Sequence, residues 1–276
     1  MLILKTLAQS GLTYLETGRG CLGVIKVITR NRYAIELGLL ALGYLLYIGV
    51  KHLFVDDLEA IAFENARKVI DVELSLNIHW EPTIQGWLLD NLQSVVVFFN
   101  WVYTFGFFPI LIPTAIVLFL FRHKTYVLYR NVFLISFLIT WLIYLTFPVA
   151  PPRMMIEYGY VDTIEVMGPA IYNSKEALSY YNQYSAMPSM HFGWILLFCT
   201  VFLRSGVKPL RIFGAVYPAL VLAAIVVTAN HYILDAIVGG SIIAGSYGIY
   251  LLLQRVPSRL VHQTVTSGST QVENQG

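Results

Sequence analysis

The stretch Asn230-His-Tyr-Ile-Leu-Asp-Ala-Ile-Val-Gly-Gly-Ser-Ile-Ile-Ala-Gly-Ser-Tyr-Gly-Ile-Tyr-Leu-Leu-Leu253 decides how the rest of the chain is read. From Tyr232 to Leu253 every side chain is apolar, small or aromatic except Asp235. A helix needs about 20 such residues to cross a hydrocarbon layer. Backbone polar groups in lipid must be satisfied internally, so a run of this length reads as a helix. His231 and Asp235 stand at its edge. Ionisable groups there are costly and read as functional.

Working outward, five more runs of the same kind appear: Tyr33–Val50, Val95–Phe121, Leu128–Phe147, Pro188–Leu203 and Ile212–Ala229. None alternates apolar with polar, as the strands of a membrane barrel would. Pro109 and Pro113 predict a kink or tilt in the second. Composition agrees: 57% of the 276 residues are hydrophobic and 12% charged, against about 25% charged in an ordinary soluble domain. Mean hydropathy is +0.66. A net charge of +2 argues against a nucleic-acid partner, and Cys21 and Cys199 are too few for a disulfide framework. No cleavable signal is visible, so the first run is expected to serve as the targeting element. The expected fold is all-α: a polytopic membrane protein with six transmembrane helices in a bundle.

Thirteen of the eighteen lysines and arginines fall on one side of these spans. Lys51, Arg67, Lys68, Arg153 and Lys175 fall on the other. Positive charge marks the cytoplasmic side, so both termini are expected in the cytoplasm, with the plasma membrane as the location. Residues 1–32 then form a cytoplasmic segment, 33–255 a single catalytic membrane domain and 256–276 a disordered polar tail. The 54–94 connection reads as an interfacial helix between the first and second spans. Leu58, Ile61, Ala62, Val69, Val72 and Leu76 form its expected apolar stripe.

Three motifs gather on the extracytoplasmic side. His231 and Asp235 are one helical turn apart, and a carboxylate there can fix the imidazole tautomer and leave one nitrogen free to attack. In Ser185-Ala-Met-Pro-Ser-Met-His191, Pro188 suits a helix start that Ser185 or Ser189 can cap. That N-terminus favours an anion, and His191 is placed to give and take a proton. Arg153, after Pro151-Pro152, can clamp two phosphate oxygens. Taken singly, these motifs are an interfacial pair, a capped helix start and a snorkelling arginine. Taken together, they supply the parts for phosphoryl transfer. Lys175, Tyr181 and Tyr184 are candidates for a headgroup pocket. Two alternatives stay open: a hydrolase holding zinc on His191, His231 and Asp235, and a transporter with a proton relay.

The order Ala-Pro-Pro-Arg, Pro-Ser-Met-His, His-x-x-x-Asp resembles the type-2 phosphatidic acid phosphatase superfamily. Ala150-Pro-Pro, the Ala-Met-Pro-Ser-Met-His run and Asn230-His-Tyr-x-x-Asp resemble its inositol-phosphorylceramide-synthase-like branch. The resemblance implies that His231 is the nucleophile, Asp235 orients it, His191 is the acid/base, and Arg153 and Ser189 bind phosphate. It implies a membrane lipid phosphate as substrate, an alcohol or inositol as acceptor, and neither metal nor cofactor. Thr146 stands where the superfamily pattern has a lysine, Ala224 and Ile225 replace its Ser-Arg pair, and Met190 replaces its glycine. One obvious cation, Arg153, is left of the usual three.

Overall fold

The computed structural model describes residues 33–46, 58–169 and 182–255. Residues 1–49 and 50–276 form separate units. The described part of the first unit is one apolar helix, α1 (Tyr33–Leu46).

The second unit is helical, with no strand among its described residues. It runs through α2 (Leu58–Ser75), α3 (Glu81–Asn91), α4 (Gln93–Phe105), α5 (Phe108–Phe121) and α6 (His123–Thr146). The short α7 (Thr163–Met167) precedes α8 (Met190–Leu203), α9 (Lys208–Val227) and α10 (Ile233–Arg255). Among the described residues, four stretches are long and apolar enough to cross a membrane: Gln93–Phe121, α6, α9 and α10. At the other two expected places stand the shorter apolar helices α1 and α8. The kink expected in the second run is a break at Gly106–Phe107, and Pro109 falls in the first turn of α5, where its missing N–H costs nothing.

The outer faces of the long helices are apolar, as lipid as solvent demands, and some polar groups turn inward. Leu138 and Leu142 of α6 and Ile116, Val117 and Leu120 of α5 are exposed, while Thr114, Ser136 and Thr140 are buried. Buried hydroxyls link helices: Trp194 Nε1 donates to Ser136 Oγ (3.1 Å), and Tyr129 pairs with Thr200 (2.6 Å). Helix α8 packs against α9 and α10, α10 against α6, and α9 against α4.

The face that α2 buries differs from its expected stripe. Ile61, Val72 and Leu76 are exposed, and the buried face is Ala62, Asn65, Ala66, Val69, Ile70 and Glu73. Small residues win there because main chain comes close. Ala62 O accepts from Ala150 N (3.1 Å), and Asn65 Nδ2 donates to Pro148 O (2.9 Å). Helix α2 thereby holds the first motif in place.

Candidate active site

Main-chain bonds join the three motifs pairwise. Val149 and Ser185 form a parallel bridge, with Val149 N donating to Tyr184 O (2.8 Å) and Ala186 N to Val149 O (3.2 Å). Arg153 N donates to Ala229 O (2.7 Å), and Ser189 N to Asp235 O (3.0 Å). Each motif therefore touches the other two, although they lie tens of residues apart in the chain.

His231 is presented by a reversal at the end of α9. Ala229 adopts a left-handed conformation (φ 51°), and both Asn230 N and His231 N reach back to Ile225 O. His231 Nδ1 lies 2.7 Å from Ala186 O and 3.4 Å from Asp235 Oδ2. A carbonyl can only accept, so Nδ1 carries the proton and the Nε2 lone pair is free. Burial holds this imidazole down at about 4, so it is neutral at pH 7. The expected orienting carboxylate is present, but the nearer partner is a backbone oxygen of the second motif.

Asp235 has a further task. It is the third residue of α10, and Oδ2 reaches back to Tyr232 N (3.0 Å), as the acid of a capping box does. The next two free N–H groups of that helix find carboxylates from outside. Ile233 N donates to Glu81 Oε1 and Leu234 N to Glu73 Oε1, both at 2.8 Å. Glu73 and Glu81 are fully buried, and desolvation pushes each carboxyl up to about 7. Composition hid both, because they lie among the other acids of the 54–94 connection.

Ser189 is the N-cap of α8, and its Oγ accepts from Phe192 N (3.5 Å). Pro188 therefore lies outside the helix rather than in its first turn. His191 sits in the first turn of α8, stacked on Tyr103 of α4 (4.6 Å between centroids) and packed on Phe107 (4.9 Å). Its ring centroid is 6.4 Å from that of His231. Arg153 is 8% exposed. Its Nη1 donates to Asn230 Oδ1, and its Nε pairs with Asp162 Oδ2 (3.2 Å). Asp162 also caps α7 through Ile164 N and Glu165 N. The guanidinium is thus oriented before any phosphate arrives.

Tyr184 is half-buried and packs beside α2. Lys175 and Tyr181 lie outside the described residues. Among the described residues, one group of three could share a metal ion, Glu73, His79 and Glu81. It contains none of His191, His231 and Asp235.

A free imidazole nitrogen, a fixed guanidinium, a helix N-terminus and a second imidazole are groups that can together serve phosphoryl transfer. No curated protein and no solved structure matches the chain. Residues 67–249 do match the model of the PAP2 superfamily. That span takes in all three motifs and well over half of the sequence, and the chain belongs to the PAP2 superfamily.

Proposed function

We propose that this protein is a membrane lipid phosphatase or phosphotransferase acting through a phosphohistidine on His231. Membership of the superfamily points to phosphatase or phosphotransferase chemistry. The observation that carries the finer reading is the His231 tautomer. Ala186 O holds the Nδ1 proton, which leaves Nε2 as a neutral nucleophile in a buried site beside Arg153.

A lipid phosphate or phosphodiester enters from the bilayer with its phosphate among the three motifs. His231 Nε2 attacks phosphorus as the bond to the leaving oxygen breaks, and His191 gives that oxygen its proton. Arg153 and the N-terminal amides of α8 hold the equatorial oxygens, where charge builds. His191 then takes a proton from water or an alcohol, which displaces the phosphoryl group and restores His231. Water as acceptor gives a phosphatase. An alcohol such as inositol or a sphingoid lipid, in keeping with the inositol-phosphorylceramide-synthase-like branch, gives a transferase. On this reading the chain has six spans, both termini in the cytoplasm and its site at the extracytoplasmic face of the plasma membrane.

The test is a labelled lipid phosphate supplied to detergent-purified wild type and His231→Ala. Phosphate release, or label passing to an added alcohol, is expected from the wild type alone. An acid-labile, base-stable label should be trapped on the protein in the same sample. Turnover persisting in His231→Ala would remove the nucleophile assignment.

A further inference from the structure

Glu73, His79 and Glu81 lie outside the three motifs, and the mechanism above assigns them no chemistry. Glu73 ends the buried face of α2, Glu81 opens α3, and His79 lies in the turn between the two helices. Their ligand atoms all lie within 4.8 Å of one another. His79 Nδ1 is 3.3 Å from Glu73 Oε2 and 3.7 Å from Glu81 Oε2. Ligands about 2.0–2.1 Å from a tetrahedral zinc ion stand roughly 3.4 Å apart, so these separations fit an ion between them with little movement.

The surroundings also favour a cation. Both carboxylates are fully buried, and among the described residues neither is ion-paired to a lysine or arginine. Glu81 Oε2, wholly buried, receives no hydrogen bond from an N–H or hydroxyl among the described residues, and its carboxyl neighbour is that of Glu73, a pair of acids that a cation would hold together. The Oε1 atoms are occupied by the backbone of α10, which fixes the carboxylate planes and turns both Oε2 atoms toward His79. Outer hydrogen bonds orient the ligands of metal sites in this way. The His79 side chain is 13% exposed, which leaves the cluster reachable from the imidazole side. Tyr160 braces that ring edge-on (5.8 Å).

We propose that Glu73, His79 and Glu81 bind one divalent transition-metal ion, zinc being the best match to one imidazole nitrogen and two carboxylate oxygens. The ion is structural. It clamps the α2–α3 turn to the first turn of α10, behind the strand of chain that carries His231, and takes no part in bond breaking. It is separate from the zinc site on His191, His231 and Asp235 considered from the sequence. It would stand even if the phosphohistidine reading failed.

The test is metal loading, not activity. Untagged full-length protein in detergent is stripped with chelator and equilibrated with Zn²⁺ alone, and bound zinc is measured by mass spectrometry. Cobalt replaces zinc in a parallel sample for its visible absorption. The wild type and His231→Ala should each hold one ion per chain, with the intense visible bands of four-coordinate Co²⁺. Zinc should raise the unfolding temperature. His79→Ala and Glu81→Gln should lose the ion and its stabilisation. Substoichiometric zinc in the wild type, with no cobalt spectrum, would overturn the proposal and leave a hydrogen-bonded histidine–carboxylate cluster in its place. So would full loading of His79→Ala, or loss of the ion from His231→Ala alone. The wild-type stoichiometry and spectrum decide the matter even if a variant fails to fold.

Discussion

Gly239 is the position where one methyl group should do the most damage. Helix α10 crosses the start of α8 there. A Cβ on Gly239 would overlap the carbonyl oxygen of Ser189 and lie 3.1 Å from its carbonyl carbon. Carbon atoms prefer about 3.5–4.0 Å, and the oxygen is closer still, so the helices must part by something on the order of 1 Å. Neither is free to yield. Ser189 O accepts from Gly193 N (3.0 Å), and Ser189 N donates to Asp235 O (3.0 Å). Overpacking of this kind costs about 1–3 kcal/mol, and a displacement near 1 Å at a reacting group costs about 100-fold in rate. Gly239→Ala should therefore lower both the unfolding temperature in detergent and the initial rate on a lipid phosphate, the latter by about 100-fold. Gly240→Ala is the control one residue away, where the new Cβ meets only Leu196 and Phe192 at 3.7 Å. It should behave as wild type. Equal behaviour of the two variants would refute the argument that this crossing sets the distance between phosphate cradle and nucleophile.

Asn230→Ala removes one hydrogen bond to the Arg153 guanidinium; a hydrogen bond to a charged group contributes about 1.5–3 kcal/mol, so kcat/KM should fall about 10- to 100-fold, and an unchanged value would show that Arg153 is oriented without Asn230. Gln85→Ala strips hydrogen bonds from Val161 N, Val161 O and Val227 O (each 2.9 Å), the last of them buried. Its expected cost is about 2–4 kcal/mol, read as a lower unfolding temperature, and an unaltered midpoint would contradict it. With the folded His231 near 4 and an unfolded histidine near 6.5, the unfolded chain binds the extra proton in that window. Stability should therefore fall as pH drops from about 6.5 to 4. The acid limb of kcat/KM should lie near 4, and a limb at about 6.5 in a rate profile would show an exposed imidazole instead.

The helical class and the three motifs were legible because they rest on residue type and local spacing. An apolar run long enough to cross a bilayer has few other readings, and a histidine at the edge of such a run is costly enough to stand out. The partners that finish the site were not legible. Ala186 contributes only its carbonyl oxygen, which no side chain advertises. Glu73 and Glu81 act across long sequence separations, Asp162 reaches Arg153 around an irregular turn, and on paper all three resemble any other acid of an aqueous connection. The face of α2 misled for a related reason: hydropathy favours Ile61, Val72 and Leu76, whereas close approach to residues 148–150 favours Ala62, Asn65 and Ala66.

The backbone ties among the three motifs separate holding a ligand from transforming it. Val149 to Tyr184, Arg153 to Ala229 and Ser189 to Asp235 are bonds that no replacement of a side chain short of proline removes directly. A copy of this chain that lost only the His231 imidazole would keep its guanidinium, its capped α8 and the spacing between them. If the proposed phosphate site is right, it would still grip a phosphate and would no longer release it as product. On the proposed reading, a lipid receptor is one substitution away from this chain, and that short step comes from a scaffold written in main chain rather than in the residues proposed to do the chemistry.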